Sequence, residues 1–241
     1  MQSGLYVSLS GLVALDRRLT TIAANVANQS TPGYRAEEVE FKSLLSKAGA
    51  NPVAFVSNGE SFISRRGGVP IKTDGPLDVA VQGHGWLALK TPDGTVYTKD
   101  GRMHMEESGA LVSVDGFPVL DAGATPILLD PAAGPPTIAQ DGMITQNSHQ
   151  VGAIGIFSLD GQAKLKRYTN SGVMSDLPAT AELDFSNNGV HQGFIEGANI
   201  NPILEMAKLI MVSRAFENIH SATEGSESSL KDAIKTLGAT S

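Results

Sequence analysis

Near the start of the chain, Leu5, Leu9, Leu12, Asp16, Leu19, Ala23 and Val26 recur alternately four and three residues apart, and five of the seven are large and apolar. That spacing predicts a helix presenting a narrow seam to another helix. Pro32 and Gly33 end it, because proline disfavours helix in the residue before it and glycine releases the turn. Near the other end, Asn201-Pro202 reads as a helix cap followed by a first-turn proline. The same alternation then picks out Leu209, Val212, Phe216, Ile219, Thr223, Ser226, Leu230, Ala233 and Leu237. Gly225 and its neighbouring serines predict a break or fraying between Thr223 and Ser229.

The middle has a different grammar. Of the 26 glycines, 20 lie between Gly59 and Gly197. Glycine costs a helix interior about 1 kcal/mol and favours turns, so short strands are expected there. Turn signals recur at Asp93-Gly94, Asp100-Gly101, Ser108-Gly109 and Asp115-Gly116, then at Asp141-Gly142, Asp160-Gly161 and Asn188-Gly189. The fold class expected is mainly β with long terminal α-helices, the N- and C-terminal helices forming a coiled-coil layer and the middle of the chain a central antiparallel β domain. The domains expected are 1–34 with 199–241 as the helical assembly layer, 35–74 as a connector with some strand content, and 75–198 as the β domain.

Val7, Val13, Ile22, Ile203, Met206, Ile210 and Met211 fall beside the seams or on other faces. A contact between two helices alone would leave them uncovered, so the pattern predicts further helical neighbours and terminal segments that fold on association. An ordinary helical hairpin packed on its own β domain stays open as the alternative.

Composition narrows the classes. A net charge of −7 gives no reason to recruit nucleic acid or an anionic membrane. The lack of cysteine removes disulfides, thiolate metal sites and cysteine nucleophiles together. The first basic residue is Arg17, so no cleavable signal peptide is expected. Apolar runs such as Leu209 to Val212 fall far short of the roughly 20 residues that span a bilayer.

Chemistry finds little support. Gly83-His84-Gly85-Trp86-Leu87-Ala88 fits the dinucleotide fingerprint, which works only when a helix begins at those glycines. Leu87 to Lys90 instead run into the turn Thr91-Pro92-Asp93-Gly94, leaving room for a strand alone. His84, His104, His149, His191 and His220 are scattered without metal-ligand spacing. Glu37-Glu38 and Glu106-Glu107 are adjacent pairs, which on a strand point to opposite faces. Arg65-Arg66 lacks the interleaved aromatics of a nucleic-acid patch. No catalytic residue, cofactor, metal or small-molecule substrate is expected.

Three stretches resemble the flagellar rod and hook family. Leu19 to Tyr34, with Asn25, Asn28 and the Thr31-Pro32-Gly33-Tyr34 turn, is similar to the family's N-terminal signature. Pro76 to Trp86, Tyr97 to Gly101, Gly109 to Val112 and Asp115 to Val119 resemble its β-domain core. Gln192 to Glu196, Asn199 to Asn201, Glu205-Met206 and Arg214 to Glu217 resemble its C-terminal signature. His84-Gly85-Trp86 departs from the more usual aromatic pair, and Ala198 stands in place of a frequent serine. The length and the opening Met1 to Val7 look most like the proximal rod branch, with the distal rod subunit as the alternative.

The resemblance implies a non-enzymatic subunit that passes through the flagellar export apparatus and acts in the basal-body rod across the periplasm. It implies polymerisation with itself and other rod proteins. Leu5, Leu9, Leu12, Leu19, Val26, Leu209, Val212, Phe216 and Ile219 would pack the inner layer, and Asn25 and Asn28 would cap or bridge helix ends. A monomeric soluble binding module and a nucleotide-dependent enzyme are the competing classes.

Overall fold

The computed structural model describes residues 2–46, 53–57 and 59–238. The chain divides into two units, one of Met1–Ala27, Glu37–Ser61 and Asn201–Ser241, the other of Asn28–Ala36 and Phe62–Ile200.

The first unit is built on α1 (Gln2–Ala27) and α2 (Pro202–Gly238), which pack together. The cap read from the sequence is in place. The Leu204 N–H donates to Asn201 Oδ1 at 3.2 Å, and the Glu205 N–H donates to the Asn201 carbonyl at 3.0 Å. Such a cap contributes about 1 kcal/mol. The expected break between Thr223 and Ser229 does not occur, and α2 is one continuous helix. Gly225 faces open space, so its missing side chain leaves no gap to fill. The hydroxyls of Thr223 and Ser229 donate one turn back, to the carbonyls of Ile219 at 2.8 Å and Gly225 at 2.9 Å, so they stay within the helix.

Between the helices in sequence come β1 (Glu37–Glu40), β2 (Ser43–Ser46) and β3 (Val53–Val56). Strands β2 and β3 form an antiparallel hairpin in register from Ser43↔Val56 to Ser46↔Val53. Both β1 and β3 pack against α1. Strand β1 pairs with β4 (Glu60–Ile63).

In the second unit, β7 (Trp86–Thr91) and β8 (Gly94–Thr98) pair in register from Leu87↔Thr98 to Thr91↔Gly94. They centre a six-stranded antiparallel sheet with β14 (Ile156–Ser158), β15 (Leu165–Arg167), β16 (Val173–Ser175) and β17 (Thr180–Ala181), in the order β15-β16-β8-β7-β14-β17. Strand β7 is buried on both faces from Trp86 to Leu89, which is why that part of it reads as an apolar run. Leu87 and Leu89 point into the main core with Val79, Leu111, Ile144 and Ile156. Trp86 joins Ile63, Leu159 and Val173 in a second cluster, and Ala88 joins Leu120 and Phe157 in a third.

Around this sheet lie β9 (Met103–Met105) with β10 (Leu111–Ser113), and β11 (Thr137–Ile138), β12 (Met143–Gln146) and β13 (His149–Ala153) as a three-stranded sheet. Strand β6 (Val79–Gln82) pairs with β18 (Gly189–Gln192), and β5 (Pro70–Lys72) with β19 (Phe194–Glu196). The seven turn signals fall at strand ends, and Gly94, Gly109, Gly116 and Gly142 have positive φ. Gly85 opens no helix. A Cβ there would meet Ile156 Cγ2 at 2.2 Å, so the residue is glycine to let β7 lie against β14.

Candidate assembly interface

On α2 the seam lies where the spacing places it. Val212 is buried, and Leu209, Phe216, Ile219 and Thr223 are half-buried. The Phe216 ring stacks on His220 with centroids 6.2 Å apart. On α1, Leu12, Leu19 and Val26 are half-buried, whereas Leu9 is 54% exposed and Ala23 is also exposed. The Leu5, Leu230 and Ala233 side chains lie outside the described residues.

Among the described residues the most buried apolar positions of α1 are Ala14 and Ile22, one row away from the seam read from the sequence. The cause is a second neighbour: α1 packs against β1 and β3 as well as α2, so its buried face is wider than a two-helix seam. Close approach of the helices is visible at Gly11, where a Cβ would sit 3.8 Å from Ile219 Cδ1.

Beyond that contact the pair leaves much apolar surface open. Tyr6, Leu9 and Val13 on α1 are exposed, as are Ile203, Leu204, Met206, Ile210 and Met211 on α2, with Ile203 at 83%. On the hairpin, Leu44 and Leu45 are both exposed although they point to opposite faces. Past Ile219, every described α2 side chain except Thr223 is exposed. A surface of this kind marks an interaction site rather than a solvated face.

Asn25 is buried, and its amide pairs with the backbone of Glu37. Nδ2 donates to the Glu37 carbonyl at 2.9 Å, and Oδ1 accepts the Glu37 N–H at 2.9 Å. It therefore bridges the last turn of α1 to the start of β1. Asn28 shapes the turn that follows: its carbonyl accepts the Thr31 N–H at 3.0 Å, and its Oδ1 accepts the Thr31 hydroxyl at 3.2 Å.

A polar cluster inside the second unit escaped the sequence reading. Arg35 and Lys99 each have side chains 1% exposed, and both face Glu196. Arg35 Nη2 lies 2.8 Å from Glu196 Oε1, and Lys99 Nζ lies 3.7 Å from Oε2. Lys99 also donates to the carbonyls of Gly83 at 3.0 Å and Val81 at 3.4 Å. Both cations lie over Trp86, at 5.5 Å and 5.8 Å from the ring centroid. Glu196 accepts the Gly68 N–H on Oε1 at 2.7 Å, and its carbonyl accepts the Gly33 N–H at 2.7 Å. Asn199 completes the network, accepting the Ala36 N–H at 2.7 Å and donating to the Arg66 carbonyl at 2.8 Å. Gly33, Trp86, Lys99, Glu196 and Asn199 all stand in the three stretches that carry the family resemblance, which was the available signal, and Arg35 lies one residue beyond the first of them. Among the described residues no group of side chains could hold a metal ion, and no helix is long and apolar enough to cross a membrane.

Terminal helices packed together, antiparallel sheets in the stretch of sequence that joins them and an open apolar surface define a structural, assembling class of protein. Comparison with known families makes this specific. The flagellar basal body rod protein family matches residues 5–35, the hook protein FlgE/F/G D1 domain residues 80–146, and the basal body rod FlgEFG C-terminal region residues 191–234. The chain is 48% identical to the flagellar basal-body rod protein FlgF of Mesorhizobium japonicum over all of both chains. It is 44% identical to that of Rhizobium meliloti over 99% of both, and 28% identical to the rod protein FlgG of Bacillus subtilis over 90% of this chain and 92% of the relative. The chain belongs to the flagellar basal-body rod proteins, in their FlgF branch.

Proposed function

We propose that this chain is a structural subunit of the proximal rod, assembling through the apolar surface of its helical unit with further copies of itself and with other rod proteins. Segments 1–34 and 199–241 act as the assembly layer, 35–74 as the connector and 75–198 as the β domain. The observation that carries the reading is the exposed apolar surface of the helical unit, with the row Ile203, Met206, Ile210 and Met211 on α2 and Tyr6, Leu9 and Val13 on α1 all uncovered. Burying one such side chain stabilises a contact by about 1.5–3 kcal/mol, so a few of them suffice to drive association.

In this reading the buried Val212 and the half-buried seam residues Leu12, Leu19, Val26, Leu209, Phe216 and Ile219 hold the two helices to each other. Leu9 joins the outward row. Asn25 fixes the exit from α1, and Asn28 shapes the turn that follows. The rod is the working location, reached through the flagellar export apparatus.

The test is the double variant Ile210→Asp/Met211→Asp. Both side chains are exposed, so the circular dichroism spectrum and thermal midpoint of the purified chain stay as in wild type. Self-association in sedimentation and rod formation in cells are lost. Normal rods from that variant would overturn the reading.

A further inference from the structure

Every point where the chain passes between its two units borders segment 28–36, 62–68 or 196–200. These three segments are tied to one another within the second unit. Glu196 takes Arg35 and the Gly33 and Gly68 N–H groups, Asn199 takes Ala36 and Arg66, and the Asn199 N–H donates to the Tyr34 carbonyl at 3.2 Å. At the centre, two buried cations share one carboxylate, and Arg35 Nε and Nη1 have no hydrogen-bond partner among the described residues. A buried excess of positive charge is costly to hold, and the face of Trp86 offsets only part of it.

We propose that Arg35, Glu196 and Lys99 form a charge-operated clasp, in which the charge on the second cation, Lys99, sets how firmly segments 28–36, 62–68 and 196–200 are held together. With Lys99 neutral, Arg35 and Glu196 are a balanced pair. With Lys99 charged, one positive charge is left over where water does not reach. Burial, seconded by the Arg35 charge and opposed by Glu196, pushes Lys99 down to about 8, so the clasp tightens as pH rises through that value.

The other charged side chains on the packed elements are occupied elsewhere or stand outside. Arg65 donates to the carbonyls of Leu159 and Ala163, and Arg167 donates to those of Arg35 and Asn170 while lying over Tyr34. Asp100 is paired with Arg102 at 2.6 Å, and His84 and His191 are exposed. Burial raises the Tyr97 hydroxyl above its ordinary value, so it stays protonated through the same range.

Trp86 is the one tryptophan in the sequence, which makes its fluorescence a reporter of this cluster alone. In the full-length chain its emission should titrate with a midpoint near 8. Over ~pH 7 to ~pH 9 the exchange of the Gly33 and Gly68 amides, normalised for intrinsic base catalysis, should slow by about tenfold. Lys99→Met should abolish both changes and show slow exchange already at ~pH 7. Lys99→Arg, permanently charged, should show fast exchange throughout. Flat wild-type emission across this range, or Lys99→Arg titrating like wild type, overturns the proposal even if Lys99→Met fails to fold. Neither outcome bears on rod assembly, which the α2 variants test separately.

Discussion

Gly33 shows how little freedom a single position can have. Its φ is +68°, and a Cβ would lie 2.1 Å from the Asp100 backbone nitrogen. Gly33→Ala should therefore destabilise the second unit by about 2–4 kcal/mol in denaturant titration. Lys99 acts through protons. Its folded pKa of about 8 lies below the ordinary 10.5, so between these values the unfolded chain holds more protons and stability rises with pH. From ~pH 7 to ~pH 9.5 the gain is about 2 kcal/mol, fully withheld below the folded pKa, and Lys99→Met should flatten that slope. Gly33 was legible, because a Thr-Pro-Gly-aromatic turn announces a left-handed position. Arg35 with Glu196 was not, since an ion pair between residues so distant in sequence leaves no periodic trace.

The helices and the strand ends are where sequence pattern spoke most clearly. Asn201-Pro202 and the seven turn pairs mark element boundaries because each reflects a local conformational requirement, whereas α1 ends at Ala27, before the expected Pro32-Gly33 stop, where the Asn28–Thr31 turn already redirects the chain. Two expectations at this scale needed tertiary knowledge. Leu9 fits the heptad but faces outward, and Ile22 lies beside it but faces inward, because β1 and β3 claim part of α1. Gly225 was read as a weak point, yet α2 passes through it with open space around. Gly225→Ala should accordingly add helicity, raising local stability by about 0.5–1 kcal/mol, as read from the thermal decay of the helical circular dichroism signal. No loss from crowding is expected there.

At the scale of the molecule, the mainly-β fold with helical ends followed from where the glycines stop. The organisation of residues 35–74 did not, since their short strands lack a long periodic run. The β core is dense: Leu111 and Ile144 are fully buried in the same cluster. Leu111→Ala should cost about 2–5 kcal/mol in chemical unfolding while leaving the outward α2 row intact. Its effect on rod number should then follow the fraction of folded chain, whereas Ile210→Asp/Met211→Asp should abolish rods in a folded chain.

The knot of contacts at Glu196 and Asn199 also fixes an order of events. Residues 33–36, near the beginning, take several of their anchors from residues near the end, so their seating is complete only when almost the whole polypeptide is available. Pairings so remote in sequence form late and slowly. A nascent or clipped chain stopping short of Glu196 should carry most of the strand framework, with β5 incompletely paired and a loosely moored front end.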